Sequence, residues 1–262
     1  MSVLAAKVLL APAFVMGATL AARRYGARIG GLLGGLPVVA GPILLVFALT
    51  HGRAFAADAA AGTLLGIVSL GTFIVVYARL AASRGWRVSL LAGWCSFLAV
   101  SAALSVAQIA PWQALGLALG ALAATLLALP AASRQQSEPI ATPSWDLPLR
   151  GASALALVLL LTTLAGQLGA KLSGLLTPFP VVATVLAAFT HVQYGTDDLV
   201  RIMRGFVVGL VAYLLFCFTL AVSLRSLGVF ASFALAIVAA LAAQAVILTV
   251  TLRRREPVPE TL

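Results

Sequence analysis

Apolar stretches of about 20 residues follow one another along almost the whole chain, and each is long enough to cross a bilayer as a helix. Short clusters of Arg, Pro, Gly or Gln separate them. Of the 262 residues, 62% are hydrophobic and only 9% are charged, a composition outside the range of soluble domains. We therefore predict an all-α integral membrane protein, a multi-pass protein of the cell membrane whose first partner is the lipid bilayer.

The chain divides into nine predicted membrane spans. Their approximate bounds are residues 4–22, 29–50, 59–77, 89–107, 112–131, 151–166, 172–190, 205–224 and 228–252. The apolar stretch from residue 89 to 131 is too long for one crossing and breaks near Pro111, whereas residues 228–252 are too few for two crossings. An odd number of crossings places the two ends of the chain on opposite sides of the membrane.

The distribution of Lys and Arg predicts which end lies outside. With the N-terminus outside and the C-terminus inside, 13 of the 17 Lys and Arg residues fall in inner segments, as the positive-inside rule favours. The formal charge of +10 is therefore interpreted as a topology signal. Nucleic acid is not predicted as a partner, because the basic residues flank apolar stretches and are not interleaved with aromatic residues on a polar face.

Two parts of the chain resemble each other. Residues 26–40 and 169–183 are identical at nine of fifteen positions, at an offset of 143 residues. The same offset relates the Gly-xxx-Gly spacing that begins at Gly62 to the one that begins at Gly205. Five crossings separate the first helix of one copy from the first helix of the other. Because five is odd, the two copies run in opposite directions across the membrane.

This pattern predicts two four-helix inverted repeats joined by a connector helix. Residues 1–110 hold helices one to four, residues 111–150 hold the connector helix five and an inner linker, and residues 151–262 hold helices six to nine and a basic C-terminal tail. Inverted repeats are characteristic of secondary transporters, because two equivalent halves can exchange conformations and open one site to either side. Some channels and structural proteins carry such repeats too.

Proline interrupts the second and the seventh predicted helix at matching positions of the two copies. A proline removes a backbone hydrogen bond and collides with the preceding turn, so backbone carbonyl groups near the membrane interior lose their partners. Transporters bind solute at such breaks, and we predict a substrate-binding site where the two interrupted helices cross. The residues assigned to it are Gly34, Gly35, Pro37, Thr177, Pro178 and Pro180. The alternative is that the prolines only kink both helices for packing.

The two histidines of the sequence, His51 and His191, are each followed after seven residues by an acid, Asp58 and Asp198. Histidine changes its protonation near physiological pH, and a nearby carboxylate stabilises its charged form. We therefore interpret these four residues as candidate proton-sensitive gates at opposite membrane surfaces. The alternative is that they lie in loops, with Asp198 near the capped start of helix eight.

The sequence also excludes several classes of function. No Asp, Glu, Lys or Arg lies in the middle of a predicted span, which argues against a cation pump or a voltage sensor. No Walker loop, His-Glu-x-x-His pattern or nucleophile elbow occurs, so no enzymatic activity, cofactor or metal is predicted. The polar candidates inside helices are hydroxyl and amide side chains, such as Ser101, Ser105, Gln167, Thr177 and Gln244.

The leading hypothesis is a secondary transporter of a small neutral or anionic organic solute, with its site near the midplane of the membrane. Backbone amides at helix breaks suit such a solute better than a metal ion. A passive channel or lipid-translocating protein is the second possibility, and a non-transporting accessory membrane subunit is the third. Association of copies into a homo-oligomer is left open.

Overall fold

In a computed structural model of the protein, the described residues are 3–38, 40–107, 109–132, 144–165 and 177–253, and they form helices without a β-strand. The helices of this described part are α1 (Val3–Tyr25), α2 (Ala27–Gly34), α3 (Ala40–Thr50), α4 (Arg53–Ala81), α5 (Trp86–Ser105), α6 (Pro111–Ala128), α7 (Asp146–Ala165), α8 (Val181–Leu227) and α9 (Val229–Arg253).

Five of these helices are long and apolar enough to cross a membrane. They are α4, α5, α6, α8 and the part of α9 from Val229 to Thr251, while α3 is a shorter apolar helix. The prediction of an all-helical chain with several apolar helices of membrane-spanning length is therefore confirmed.

The five long helices divide into a central pair and an outer group. About 72% of the most apolar part of α4 and 67% of that of α8 is buried, against 22% in each of α5, α6 and α9. The outer helices expose large apolar side chains, including Leu91, Leu127 and Val238. Such faces suit contact with lipid tails and are unfavourable in water. The packing therefore agrees with a membrane location.

Two glycines mark the points where the helices change direction. Gly52 separates α3 from α4 with a φ of 88°, and Gly195 bends α8 with a φ of 81°. Glycine adopts positive φ readily because it has no Cβ. We expected a connecting segment at residues 191–204, interrupted at Gly195. Gly195 does interrupt the helix, so that α8 consists of two helices, residues 181–194 and 196–227, but the connection is limited to this one residue. Burial of Leu199 and Ile202 on one face stabilises the helix where the local sequence is polar.

The closest helix contact joins α2 to the part of α8 after Gly195. A Cβ on Gly31 would lie within 3.0 Å of the Ile202 carbonyl oxygen, and a Cβ on Gly205 would lie within 3.0 Å of the Arg28 carbonyl oxygen. Two Gly-xxx-Gly spacings thus lie where the helix backbones touch. The Gly-xxx-Gly spacing of α6 is different, because an added Cβ at residue 116 or 120 meets no atom within 4 Å.

Candidate functional site

The first proline break separates α2 from α3. α2 ends at Gly34, and residues 35–38 form turns before α3 begins. The amide of Leu36 donates to the carbonyl oxygen of Leu33 at 3.1 Å, and the amide of Gly41 donates to that of Pro37 at 2.9 Å. Pro37 itself is half-buried. The regular helical hydrogen bonding therefore stops at this proline and starts again after it.

The second proline break lies directly before α8. Thr177 and Pro178 form a turn, and Pro180 occupies the position just before the first helical residue. The carbonyl oxygen of Pro180 accepts a hydrogen bond from the amide of Thr184 at 2.7 Å, which begins the hydrogen bonding of α8. The upstream residues 166–176, which complete the seventh predicted span, lie outside the described part of the chain.

Aromatic side chains of α5 pack around the second break. The ring of Phe179 lies 5.9 Å from that of Trp94 and 5.3 Å from that of Phe97, measured between ring centroids. The indole Nε1 of Trp94 also donates to Oγ1 of Thr184 at 3.0 Å. The chain at this break is therefore held by α5 through both apolar and polar contacts.

The end of α2 lies against the helix that follows the second break. A Cβ on Gly34 would lie 2.9 Å from Cδ1 of Leu186, and Leu186 belongs to the first turns of α8 after Pro180. Gly35 contacts the same helix near Gly209. The structure thus places the two groups of predicted site residues on helices that touch each other.

The first predicted gate pair is divided between different partners. His51 is exposed at the end of α3, where its Nδ1 lies 2.7 Å from Oγ1 of Thr50 and its ring stacks on Phe55 with centroids 4.6 Å apart. Asp58 forms an ion pair with Arg225 at 2.6 Å. Within the described residues, His51 and Asp58 are therefore not brought into contact.

The second predicted gate pair is also divided. His191 is half-buried, and its Nδ1 lies 3.4 Å from the hydroxyl oxygen of Tyr77. Asp198 forms an ion pair with Arg201, one turn further along α8, at 2.7 Å. His51 directly follows α3 and Asp58 lies in the second turn of α4, whereas His191 and Asp198 lie within α8 on either side of Gly195. The role of these four residues in gating stays a prediction.

A buried ionic network, which the sequence did not lead us to expect, lies where α1, α7 and α8 meet. The carboxylate of Asp146 is fully buried and pairs with Arg23 and with Arg150. The amide of Gln193 donates to Asp146 and accepts a hydrogen bond from Arg150 at 2.9 Å. The guanidinium of Arg150 also lies over the ring of Phe189, 4.7 Å from its centroid. The network ties the end of α1 and the start of α7 to α8.

The charge of Asp146 depends on these partners. Burial by itself raises the pKa of the Asp146 carboxyl, but hydrogen bonds from Gln193 and Arg150 and the attraction of Arg150 and Arg23 outweigh it and hold the pKa below its usual range. Its contribution to stability is complete above the ordinary Asp pKa of about 4 and is lost as the pH falls through the lowered value.

Asp146→Asn should lower the free energy of unfolding by about 3–5 kcal/mol at neutral pH, because it leaves Arg150 buried without a counter-charge. Asp58→Asn is the matched control. The side chains of Asp58 and Arg225 are 57% and 60% exposed, and exposed pairs contribute about 0–1 kcal/mol. Thermal unfolding of the purified variants in detergent measures both effects. Equally small losses in the two variants would show that the network does not stabilise the fold.

Two arginines pair with the end of α6. Nη2 of Arg204 donates to the carbonyl oxygens of Leu129 and Pro130 at 3.0 Å each, and Nε of Arg79 donates to that of Ala128 at 3.1 Å. The last carbonyl groups of a helix lack hydrogen-bond donors within the helix, and the dipole of the helix is negative at this end. A cation placed there donates to these carbonyl groups and is attracted by the dipole. α6 corresponds to the predicted connector helix, and these contacts hold it against α4 and α8.

Comparisons of the chain with protein families, with curated proteins and with solved structures find no match. The described residues contain no group of three or more His, Cys, Asp or Glu side chains that could hold a metal ion. The function is therefore inferred from the geometry of this chain alone.

Proposed function

We propose that the protein is a secondary transporter built from two inverted repeats, and that it carries a small neutral or anionic organic solute through a site at the two proline breaks. The observation that carries this proposal is the contact between α2, which ends at the first break, and α8, which begins at the second. Interrupted helices that meet inside a protein present oriented backbone groups, which a solute can bind. A pair of continuous helices has no such breaks.

Helix boundaries support the repeat. α5 and α9 begin 143 residues apart. Gly52 and Gly195, which are related by the same offset, share a positive φ. These boundaries lie outside the segments in which the sequences match best. They are therefore a second, separate indication that residues 1–110 and 151–262 are copies of one unit.

Antiparallel contacts support the inversion of the two copies. Arg23 near the end of α1 pairs with Asp146 at the start of α7, the helix equivalent to α1. Asp58 near the start of α4 pairs with Arg225 near the end of α8, and the part of α8 after Gly195 is the equivalent of α4. In both pairs the end of one helix meets the start of the other, so the two equivalent helices run antiparallel. The proposed nine-crossing topology requires this, because five crossings, an odd number, separate equivalent helices.

The arginine contacts agree with the proposed topology. An outside N-terminus places Arg23, Arg79, Arg150 and Arg204 at the inner surface, as the positive-inside rule favours. Arg23 and Arg150 share Asp146, and Arg79 and Arg204 both donate to the end of α6. Within each pair, residues from distant parts of the sequence meet at one end of the bundle. This grouping supports a single inner surface.

We retain His51 with Asp58, and His191 with Asp198, as proposed proton-sensitive gates. His191→Ala should change the pH dependence of transport more than His51→Ala, because His191 is half-buried against Tyr77 whereas His51 is exposed. Transport by the single and double variants is measured across about pH 5–8, where histidine titrates. Wild-type pH profiles in all three variants would show that these residues are not gates.

Reconstitution of the purified chain into lipid vesicles tests the proposed function. A secondary transporter gives saturable uptake and exchanges a trapped solute for the same solute outside. A passive channel gives instead a voltage-driven current too large for a turnover mechanism. An accessory subunit gives no flux alone and copurifies with a stoichiometric partner. Current without exchange, or a partner without flux, would overturn the proposal.

A further inference from the structure

The first proline break releases one backbone carbonyl group, which a side chain then pairs. In a continuous helix the amide of Leu36 would donate to the carbonyl oxygen of Leu32, but here it donates to that of Leu33 at 3.1 Å. The carbonyl oxygen of Leu32 instead accepts a hydrogen bond from Nε2 of Gln244, on α9, at 3.2 Å. The amide group of Gln244 is therefore held beside the break.

The remaining polar atom of this amide, Oε1 of Gln244, is buried and has no hydrogen-bond partner among the described residues. Gln244 is only 7% exposed. Turning the amide over would set its oxygen against the Leu32 carbonyl oxygen, so the contact itself assigns Nε2 to Leu32. A buried acceptor without a donor lowers stability, and one that persists in a fold needs an explanation.

The equivalent residue of the first copy, 143 positions earlier, is Ser101 on α5. Ser101 is 5% exposed, and its Oγ is also buried without a hydrogen-bond partner among the described residues. It lies one turn after Phe97, whose ring packs edge-on against Phe179 at the second break. Beside each break, a helix thus carries a buried, unpaired polar oxygen at the same position of the repeat.

We propose that Gln244 and Ser101 are the polar recognition groups of the site, and that the solute is an uncharged molecule with hydroxyl or amide N–H donors. The inference rests on the proposed transport function and narrows its substrate class. α5 and α9 carry charge only near their ends, at Arg87 and Arg253. Oε1 of Gln244 can only accept a hydrogen bond and therefore disfavours an anion, whereas the hydroxyl of Ser101 can accept or donate. A neutral donor pairs with both oxygens without bringing a charge out of water.

Ser101→Ala and Gln244→Met test this inference, and Ser232→Ala is the matched control. Ser232 also has a buried hydroxyl without a partner in the described part of the chain, but it lies near the start of α9, three turns before Gln244. Each variant is reconstituted into lipid vesicles. Uptake is measured for two uncharged solutes, lactamide and glycerol, and for their anionic counterparts, lactate and glycerate.

We expect saturable uptake of lactamide, glycerol or both, with the concentration for half-maximal uptake raised about fivefold by Ser101→Ala, as loss of one hydrogen bond predicts. Gln244→Met should raise it further, and Ser232→Ala should leave it unchanged. Ser101→Ala removes an unpaired group and should fold as well as wild type, so it decides the question if Gln244→Met does not fold.

Other outcomes distinguish failure of the recognition role of Ser101 and Gln244 from failure of the proposed transport function. Uptake of lactate or glycerate only, or uptake of the uncharged solutes that Ser101→Ala leaves unchanged, would overturn the recognition role while transport stood. Absence of uptake for all four solutes would contradict transport and recognition together.

Discussion

Gly205→Ala should prevent the protein from folding, although it adds a single methyl group. The new Cβ would lie within 3.0 Å of the Arg28 carbonyl oxygen, a backbone atom that cannot move without displacing α2. Gly209 contacts α2 in the same way near Leu32, so the helix cannot pivot to make room. Overpacked cores lose about 1–3 kcal/mol and occasionally more, and a clash between two backbones should reach at least the upper end of that range.

Gly116→Ala on α6 is the control for this prediction. It makes the same chemical change in an apolar helix, but the new Cβ meets no atom within 4 Å. Its stability should stay the same or rise by up to about 1 kcal/mol, the difference in helix propensity between Ala and Gly. Size-exclusion chromatography and thermal unfolding in detergent compare the variants. A folded Gly205→Ala protein with wild-type stability would show that α2 and α8 do not touch at these glycines.

Pro37→Ala and Pro180→Ala should abolish most transport while the protein still folds. At residue 37, alanine supplies the missing N–H and allows α2 to continue towards α3. At residue 180, just before the first residue of α8, alanine frees the backbone angle that proline fixes in the turn. Neither change removes a hydrogen bond, so stability should be preserved or increased. The intrinsic preference is up to about 3 kcal/mol in water and less in a membrane. Loss of the proline constraint would alter the turns at residues 35–38 and 177–180, which we propose to present backbone groups to the solute.

Pro111→Ala is the control for this prediction. Flux through all three variants is measured after reconstitution into lipid vesicles. Pro111 is the first residue of α6 and, like Pro180, removes no helical hydrogen bond, but it lies at neither of the two breaks. This variant should transport normally. Near-normal flux in folded Pro37→Ala and Pro180→Ala proteins would mean that the two prolines serve packing alone, and the site would have to be sought elsewhere.

The features that sequence predicted best depend on local chemistry. Continuous apolar stretches identify the long helices, because a helix in contact with lipid needs an apolar residue at most positions. The position of the first break follows from Pro37 itself, since proline has no N–H to donate. By contrast, residues 191–204 contain several polar side chains and suggested a connecting segment. Burial of their apolar face against the centre of the bundle makes all of them helical except Gly195.

The polar contacts between helices were not predictable in the same way. Asp146 and Arg150 are four residues apart on one helix, which is a local signal for an ion pair. Their other partners, Arg23 and Gln193, lie 123 and 47 residues from Asp146 in the sequence. No local pattern states which distant side chains meet. The hydrogen bond between Gln244 and Leu32, which are 212 residues apart, could not be predicted from the sequence for the same reason.

Ser83 and Ser226 give the most direct test of the inverted repeat, because they are equivalent at the offset of 143 residues and are both exposed. Each is changed to Cys in a Cys95→Ser background, which removes the exposed native thiol and keeps the buried Cys217. Intact cells are then treated with a membrane-impermeant thiol reagent. Inverted copies predict that Ser226→Cys is labelled from outside and that Ser83→Cys is labelled only after the membrane is permeabilised. Labelling of both variants from the same side would contradict the inversion on which the account depends.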